Sequence, residues 1–190
     1  RFNITDEPDY TYFQDSLAFD NEGNYFFNEH TGDGSDVSMD WGKSFNVNGK
    51  LTCKLKDLKM SLMYLLDSGQ GQGYSHGNKY KPDGRNVGYG ESHMVTYQLN
   101  HLISQKAFYE LKLSYTNSYS ASYLYENPLD PRYVHDKYSA NSSFTGFVTG
   151  GQDKGHSQTT TEKFLGRFDA TWQVNRAHSL SGGFEGTMFR

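Results

Sequence analysis

Six stretches of the chain alternate between apolar and polar residues with a period of two. This is the pattern of β-strands that have one apolar and one polar face. The clearest stretch is "FYELKLSYTNSYSASYLYE", residues 108–126, in which most Tyr and Leu side chains take odd positions while the charged side chains and most hydroxyl side chains take even ones. It is much longer than the about five or six residues of an ordinary globular strand. The predicted strands are 44–55, 58–67, 93–101, 108–126, 163–174 and 179–190.

Charged side chains test this assignment of faces. Ten of those inside the predicted strands lie opposite the apolar residues of their strand. They are Lys50, Lys54, Lys59, Asp67, Glu110, Lys112, Lys163, Arg167, Asp169 and Glu185. An apolar face without charge in every strand predicts one continuous apolar environment for the whole sheet.

The connections between the predicted strands alternate strictly between short and long. The short ones are residues 56–57, "LISQK" and "NRAH", and the long ones are residues 68–92 and 125–161. In an antiparallel up-and-down sheet, this order places all the short turns at one end and all the long loops at the other. Outer-membrane barrels have this asymmetry, with short periplasmic turns and long extracellular loops. We therefore predict transmembrane strands over 44–190, preceded in 1–43 by an extracellular loop and the end of an earlier strand.

Composition agrees with an all-β fold and excludes several classes of protein. Aromatic residues make up 16% of the chain, with 20 Gly and only 4 Pro. The mean hydropathy is −0.80, and no apolar run reaches the roughly 18 residues of a membrane helix. A barrel wall remains compatible, because only every second residue faces lipid. The net charge of −4 comes without a basic stripe for nucleic acid, and the single Cys53 excludes an internal disulfide.

Three segments resemble the barrel of TonB-dependent outer-membrane receptors. They are "LKMSLMYLLDSGQGQGYSHGNKYKPDGRN", "MVTYQLNHLISQKAFYELKLSYTNSYSASYLYENPLDPRYV" and "EKFLGRFDATWQVNRAHSLSGGFEGT", and the likeness covers residues 44–190. The resemblance implies an antiparallel up-and-down transmembrane barrel segment, six strands of a larger plugged barrel of about 22 strands. It implies a Gram-negative outer membrane, uptake of a scarce large ligand (a metal chelate, a vitamin or a glycan) and energy from the TonB system.

Other features of the chain bear on this resemblance. A plug domain and a TonB-contacting segment are not recognisable in it, so we expect the chain to be a fragment of a longer polypeptide. The first ten residues, "RFNITDEPDY", have no apolar core of a signal peptide, so we expect an exported chain to have been processed or this segment to be internal. The family's functional motifs are absent, so no functional residue is carried over.

The long loops hold the candidate ligand contacts. Aromatic, imidazole and guanidinium side chains are concentrated around "KYKPDGRN" and within "NPLDPRYVHDKY", a composition that suits stacking on glycans or chelates. The candidates are Tyr74, His76, Tyr80, Arg85, Arg132, Tyr133 and His135. The alternative for the first loop is turn formation by Pro-Asp-Gly, and for the second, packing on a neighbouring loop.

Four strand charges are predicted to face the lumen of the barrel, either contacting a plug or forming ion pairs. They are Glu110, Lys112, Arg167 and Asp169. A solvated polar face without a specific role is the alternative.

Metal binding and catalysis have weak support in the sequence. Asp33, Asp36 and Asp40 lie in a Gly-rich stretch suited to calcium, but their spacing matches no EF-hand. The seven histidines show no zinc spacing. We find no GxSxG motif and no phosphate-binding loop. We therefore predict no metal, no cofactor and no enzymatic activity.

Two other functions remain open. The chain is alternatively part of an outer-membrane barrel that serves as a structural anchor or as a subunit of a surface complex. As a further alternative, it is a soluble β-sandwich that binds glycans through its aromatic residues. A sandwich should lack the one-sided placement of long loops.

Overall fold

The computed structural model of the protein describes residues 3–5, 16–19, 25–28, 36–78, 81–134, 148 and 151–190. Ten β-strands and two 3-10 helices occur in these ranges. The strands are β1 (Asn3–Thr5), β2 (Ser16–Phe19), β3 (Tyr25–Asn28), β4 (Asp36–Ser38), β5 (Trp41–Leu55), β6 (Leu58–Gln72), β7 (Val87–Ser104), β8 (Ala107–Tyr123), β9 (Ser157–Gln173) and β10 (Ser179–Phe189). The 3-10 helices are His76–Asn78 and Pro82–Gly84. No helix in the described ranges has the length and apolarity to cross a membrane.

The six long strands form one antiparallel sheet in which each strand pairs with its neighbours in sequence. The strand order is β10-β9-β8-β7-β6-β5. This confirms the all-β fold and the predicted six-stranded up-and-down sheet. The sheet is open: in the described part of the chain, β5 and β10 are its two edges and do not pair with each other.

Several strands are longer than the sequence predicts. β6 continues to Gln72 and β7 begins at Val87, whereas the predicted strands stop at 67 and start at 93. Residues 68–72 are polar or glycine and show no hydrophobic alternation, but ladder hydrogen bonds join backbone groups whatever the side chains are. The long connections are therefore 73–86 and 124–156 rather than 68–92 and 125–161.

The alternation of short and long connections is confirmed. The short connections are 56–57, 105–106 and 174–178. Lys56 has a φ of 45°, a left-handed conformation that closes the first turn. In the third turn Asn175 Oδ1 accepts the backbone N–H groups of Ala177 and His178, both at 2.9 Å, as is typical of an Asx turn.

Short strands precede the large sheet. β1 pairs with β4 and β2 pairs with β3, both antiparallel. Much of the loop predicted in 1–43 lies outside the described residues.

The chain divides into two compact units. We call residues 44–69, 90–120 and 159–190 the sheet unit, and residues 1–43, 70–89 and 121–158 the loop unit. The buried apolar side chains of the described ranges are Pro82, Ala121 and Tyr123, all in the loop unit. No described apolar side chain of the sheet unit is fully buried, so the sheet unit has an apolar face without a core of its own.

Candidate functional site

The apolar face of the sheet unit is continuous from strand to strand. In the register of β9 and β10, Trp172 lies opposite Leu180, Phe168 opposite Phe184 and Phe164 opposite Met188. Aromatic rings extend this face onto β8, with centroid distances of 5.7 Å for Tyr109–Phe168 and 4.7 Å for Tyr115–Phe164. Directly opposed residues share one face of a sheet, so the predicted apolar faces of these strands are confirmed as one surface.

This apolar face is exposed in the described residues. Leu51 is 74% exposed, Phe184 71% and Leu180 64%. Apolar surface on this scale is rare on soluble monomers and marks a surface that something else covers.

The opposite face of the sheet unit is polar and internally paired. Gln98 Nε2 donates to Glu110 Oε1 at 2.8 Å, and the hydroxyls of Thr96 and Ser114 lie 3.0 Å apart. Lys112 belongs to the same face by its position between Glu110 and Ser114. This is the face for which lumenal exposure was predicted, and the lumen itself stays a prediction.

An ion-pair group extends this polar face across β9 and β10. Arg167 Nε donates to Asp169 Oδ2 at 2.5 Å, and Arg167 Nη1 lies 3.9 Å from Glu185 Oε2. Gly183 lies opposite Asp169. A Cβ on Gly183 would clash first with the backbone carbonyl of Phe168 and would also come within 2.6 Å of Asp169 Oδ1, so glycine leaves room for the neighbouring backbone and for this carboxylate.

The added strand length brings charges onto the apolar face. Near the start of β7, His93 bonds through its two ring nitrogens to Tyr64 Oη (2.8 Å) and Glu91 Oε1 (2.7 Å). Near the start of β9, Tyr115 Oη donates to Glu162 Oε1 at 2.9 Å. Within the predicted bounds, the charge-free apolar face fails at Arg190, whose backbone pairs with that of Glu162 directly after β10. Glu91 and Glu162 themselves lie just before the predicted strands 93–101 and 163–174. The prediction missed them because the apolar alternation ends before the backbone pairing does.

The two long connections contact each other within the loop unit. Asn86 Nδ2 donates to the carbonyl of Gly155 at 2.8 Å, the N–H of Asp153 donates to Gly84 O at 2.6 Å, and the N–H of Val148 donates to Gly77 O at 2.7 Å. Two of these hydrogen bonds join backbone groups and the third uses the Asn86 side chain, so the loops support each other without requiring a particular side chain at most positions.

The first predicted ligand group is only partly assembled. Tyr74 Oη lies 2.7 Å from His76 Nδ1, and the Tyr74 side chain is 52% exposed. Arg85 donates through Nη1 to the carbonyl of Gly73, so its guanidinium holds the loop base together. Tyr80 lies outside the described residues.

The second predicted group is built around Arg132. Its Nε and Nη2 donate to Asp130 Oδ1 and Oδ2 at 2.9 and 2.8 Å, and its guanidinium lies 4.1 Å from the ring centroid of Tyr125. Hydrogen bonds from Arg132 lower the pKa of Asp130 from 3.8 to about 2, and the carboxylate in turn raises the pKa of Arg132. His135 lies outside the described residues. The described contacts do not join this group to Tyr74 or His76.

Tyr133 belongs to an aromatic group that we call the loop cluster, made of Tyr89, Tyr123, Tyr125, Tyr133 and His156. Tyr89 stacks on Tyr123 with centroids 4.5 Å apart, and Tyr125 meets Tyr133 edge-on at 4.9 Å. His156 stacks on Tyr123 and meets Tyr133 edge-on, both at 6.0 Å. Such ring pairs contribute about 0.5–1.5 kcal/mol each beyond their buried area.

Hydrogen bonds tie the loop cluster to the backbone. The N–H of Tyr125 donates to Tyr133 Oη at 3.2 Å. His156 Nε2 lies 2.7 Å from the carbonyl of Tyr125, while its Nδ1 lies 3.1 Å from that of Lys154. Gln152 accepts from the N–H of Val134 (2.8 Å) and donates to Tyr125 Oη (3.2 Å).

Sequence reasoning missed Tyr125, Gln152 and His156, which come from opposite ends of the long connection. Only the folded loop brings them together, and no local sequence motif predicts the contact. Asp130 carried a detectable signal, since an acid two residues before an arginine across a proline favours a local ion pair.

The Asp130–Arg132 pair predicts a titration at unusually low pH. The folded-state pKa of Asp130 is depressed, so its stabilising contribution is complete above the ordinary value of 3.8 and is lost as the pH falls toward about 2. The Nε–H signal of Arg132, followed by NMR, should therefore move with a midpoint near the folded-state pKa. Asp130→Asn should abolish the movement. A midpoint at the ordinary value in the unmodified protein would show that the pair does not form.

The described residues contain no group of three or more His, Cys, Asp or Glu side chains placed to hold a metal ion. Of the calcium candidates, Asp33 lies outside the described residues. The fold and its two faces define the class of the protein: an all-β chain with an open six-stranded antiparallel sheet. The chain matches no protein-family model, no curated protein and no solved structure. Its likeness to TonB-dependent receptors therefore stays a prediction.

Proposed function

We propose that the chain forms part of the wall of a transmembrane β-barrel in a Gram-negative outer membrane, within a receptor of the TonB-dependent kind. In this function the long connections capture a scarce large ligand, such as a metal chelate, a vitamin or a glycan. The TonB system drives passage through a plugged lumen, using parts of the polypeptide beyond these 190 residues. The other partners are membrane lipid and, in a surface complex, further subunits.

One observation carries this proposal: the sheet has an exposed apolar face and a charged, internally paired opposite face. Phe184 and Leu180 stand exposed on one side, while Arg167, Asp169 and Glu185 pair on the other. A lipid-facing wall needs this distribution, since apolar residues face the hydrocarbon and polar residues face the lumen. Closure with further strands would also pair the open edges of β5 and β10.

The strict alternation of connections favours a barrel over a sandwich. Both long connections leave the sheet from the same ends of its strands, and they bond to each other through Asn86 and Gly155. In a barrel these loops form one rim on the extracellular side. A soluble sandwich would instead cover the apolar face with a second sheet.

The single cysteine offers a direct test of where the apolar face lies. Cys53 is exposed and sits on the apolar face of β5, while Lys54 faces the other way. A nitroxide attached to Cys53 in the full-length protein, reconstituted in phospholipid bilayers, should collide frequently with oxygen and rarely with an aqueous nickel reagent. The matched control carries Cys53→Ser and Lys54→Cys, and its label should show the reverse preference.

Aqueous access at Cys53 equal to that at the control position would overturn the membrane-wall proposal. Shielding of Cys53 from both reagents would favour the sandwich. The receptor class has a test of its own: uptake of the ligand should stop in cells whose energy transducer is deleted. Uptake that continues there, with the nitroxide still in lipid, would favour an anchor or a subunit of a surface complex.

A further inference from the structure

The apolar face carries a groove between β9 and β10. Gly166 and Gly186 lie directly opposite each other in the register of β9 and β10. Because neither has a side chain, an open groove of about 620 Å³ forms there. Its other apolar lining includes Val95, Tyr97, Leu113, Phe164 and Met188.

The groove has room for an apolar chain at its base. A Cβ added to Gly186 would meet nothing within 4 Å, and one added to Gly166 would meet only Leu113 Cδ2 at 3.7 Å. Space of this kind on a surface that faces hydrocarbon suits an unbranched alkyl chain, because each buried methylene is worth about 0.8 kcal/mol.

Polar groups follow the groove along the same face. On this face, Glu162 is the next residue beyond Phe164 on β9, and Arg190 is the next beyond Met188 at the end of β10. Each lies about 7 Å further along its strand, away from the groove. They are directly opposed residues of neighbouring strands: the N–H of Glu162 donates to Arg190 O at 3.0 Å, and the N–H of Arg190 donates to Glu162 O at 2.9 Å. Asn117 Nδ2 donates to Tyr115 Oη at 3.4 Å, and Tyr115 Oη donates to Glu162.

These groups match a headgroup that is both phosphorylated and rich in hydroxyls. The guanidinium of Arg190 suits a phosphate, with which arginine forms bidentate hydrogen bonds. Glu162 keeps acceptor capacity beyond Tyr115, and Asn117 keeps a free amide oxygen and a second N–H for hydroxyl and amide groups. A phosphoethanolamine headgroup would engage Arg190 with its phosphate and Glu162 with its ammonium group, but it has no hydroxyl or amide group for Asn117.

From this match we propose that the groove binds an acyl chain of a phosphorylated glycolipid, with Arg190 holding the phosphate and Glu162 and Asn117 the sugar. The polar groups lie toward the strand ends that continue into the long connections. In the orientation proposed above this is the outer leaflet, so the inference rests on the proposed function.

Lipid retention measured by native mass spectrometry tests the groove. The full-length protein is transferred from detergent with equal amounts of a phosphorylated diglucosamine glycolipid, phosphatidylethanolamine and phosphatidylglycerol. We expect preferential retention of the glycolipid. Gly186→Leu should reduce it about tenfold, since excluding two methylenes from the groove is worth about that factor.

The chain supplies matched controls. Gly182→Leu places the same side chain on the same face of β10, again with nothing within 4 Å of its Cβ, but outside the groove. It should leave retention unchanged. Arg190→Gln should weaken glycolipid binding severalfold, whereas Glu185→Gln on the opposite face should not.

Equal losses from Gly186→Leu and Gly182→Leu would overturn the groove as a site, and so would preferential retention of phosphatidylethanolamine. If the label on Cys53 contacts lipid in either case, the proposed function stands and only this inference fails. If Cys53 is exposed to water, both fail.

Discussion

Phe184→Arg is expected to lower the free energy of unfolding by about 2–4 kcal/mol, the usual cost of arginine on the lipid face near the bilayer midplane. Phe184 lies in the middle of β10, is 71% exposed and contacts Phe168 with ring centroids 5.7 Å apart. On a water-facing surface, the same exchange at so exposed a position would change stability by about 0.5 kcal/mol or less. The size of the change in unfolding free energy therefore shows whether this face contacts lipid or water.

The measurement is reversible guanidinium unfolding of the protein in phospholipid vesicles. Ser181→Arg is the matched control, because Ser181 lies on the same strand but on the opposite face, across from Thr171. We expect this control to unfold within about 0.5 kcal/mol of the unmodified protein. Equal stability of the two arginine variants would contradict a lipid-facing wall.

The second large effect is expected at Tyr133, which holds the loop cluster together. Its hydroxyl accepts the N–H of Tyr125, and its ring lies between those of Tyr125 and His156. Tyr133→Ala removes both contacts and leaves a half-buried gap. We expect a local loss of about 2–3 kcal/mol in the long connection, whereas Tyr133→Phe should lose only about 1 kcal/mol for the hydrogen bond.

Hydrogen exchange measures this local stability directly. Protection of backbone amides in 124–134 and 151–156 should fall by roughly thirtyfold or more in Tyr133→Ala. Tyr74→Ala serves as the control, because Tyr74 is exposed and bonds to His76 in the other long connection. Unchanged protection in Tyr133→Ala would show that the cluster does not order the loop, and Tyr133 would then be free to serve as the predicted ligand contact.

Tyr133 and Arg132 show what the sequence does not reveal about candidate ligand contacts, namely which of their polar groups already have partners in the fold. The sequence predicts Tyr133 and Arg132 as ligand contacts because a stiff aromatic loop suits glycans and chelates. In the fold, the hydroxyl of one and the guanidinium of the other already have partners within the loop, Tyr125 and Asp130. Both are positioned as supports of the loop, and ligand contact remains a prediction for them.

The contacts that His156 and Gln152 make with Tyr125 in the long connection could not be predicted from the sequence, for a physical reason. His156 and Gln152 are far from Tyr125 along the chain, and their contacts depend on the path of a long connection. Residues in such loops have no periodic pattern that places them, since a loop path follows from many weak contacts. Asp130 was accessible in principle, because its bond to Arg132 is local.

The number and order of strands in the large sheet, and its separation into two faces, were determined by the sequence alone. A period of two assigns every side chain to a face, and short turns force consecutive strands to pair. Only the tertiary structure decided the true strand ends, because backbone pairing continues past the apolar residues into Glu91 and Glu162. Likewise, only the register of β9 and β10 set Gly166 opposite Gly186. That pairing opens the groove, and it depends on the alignment of two strands, which neither strand encodes by itself.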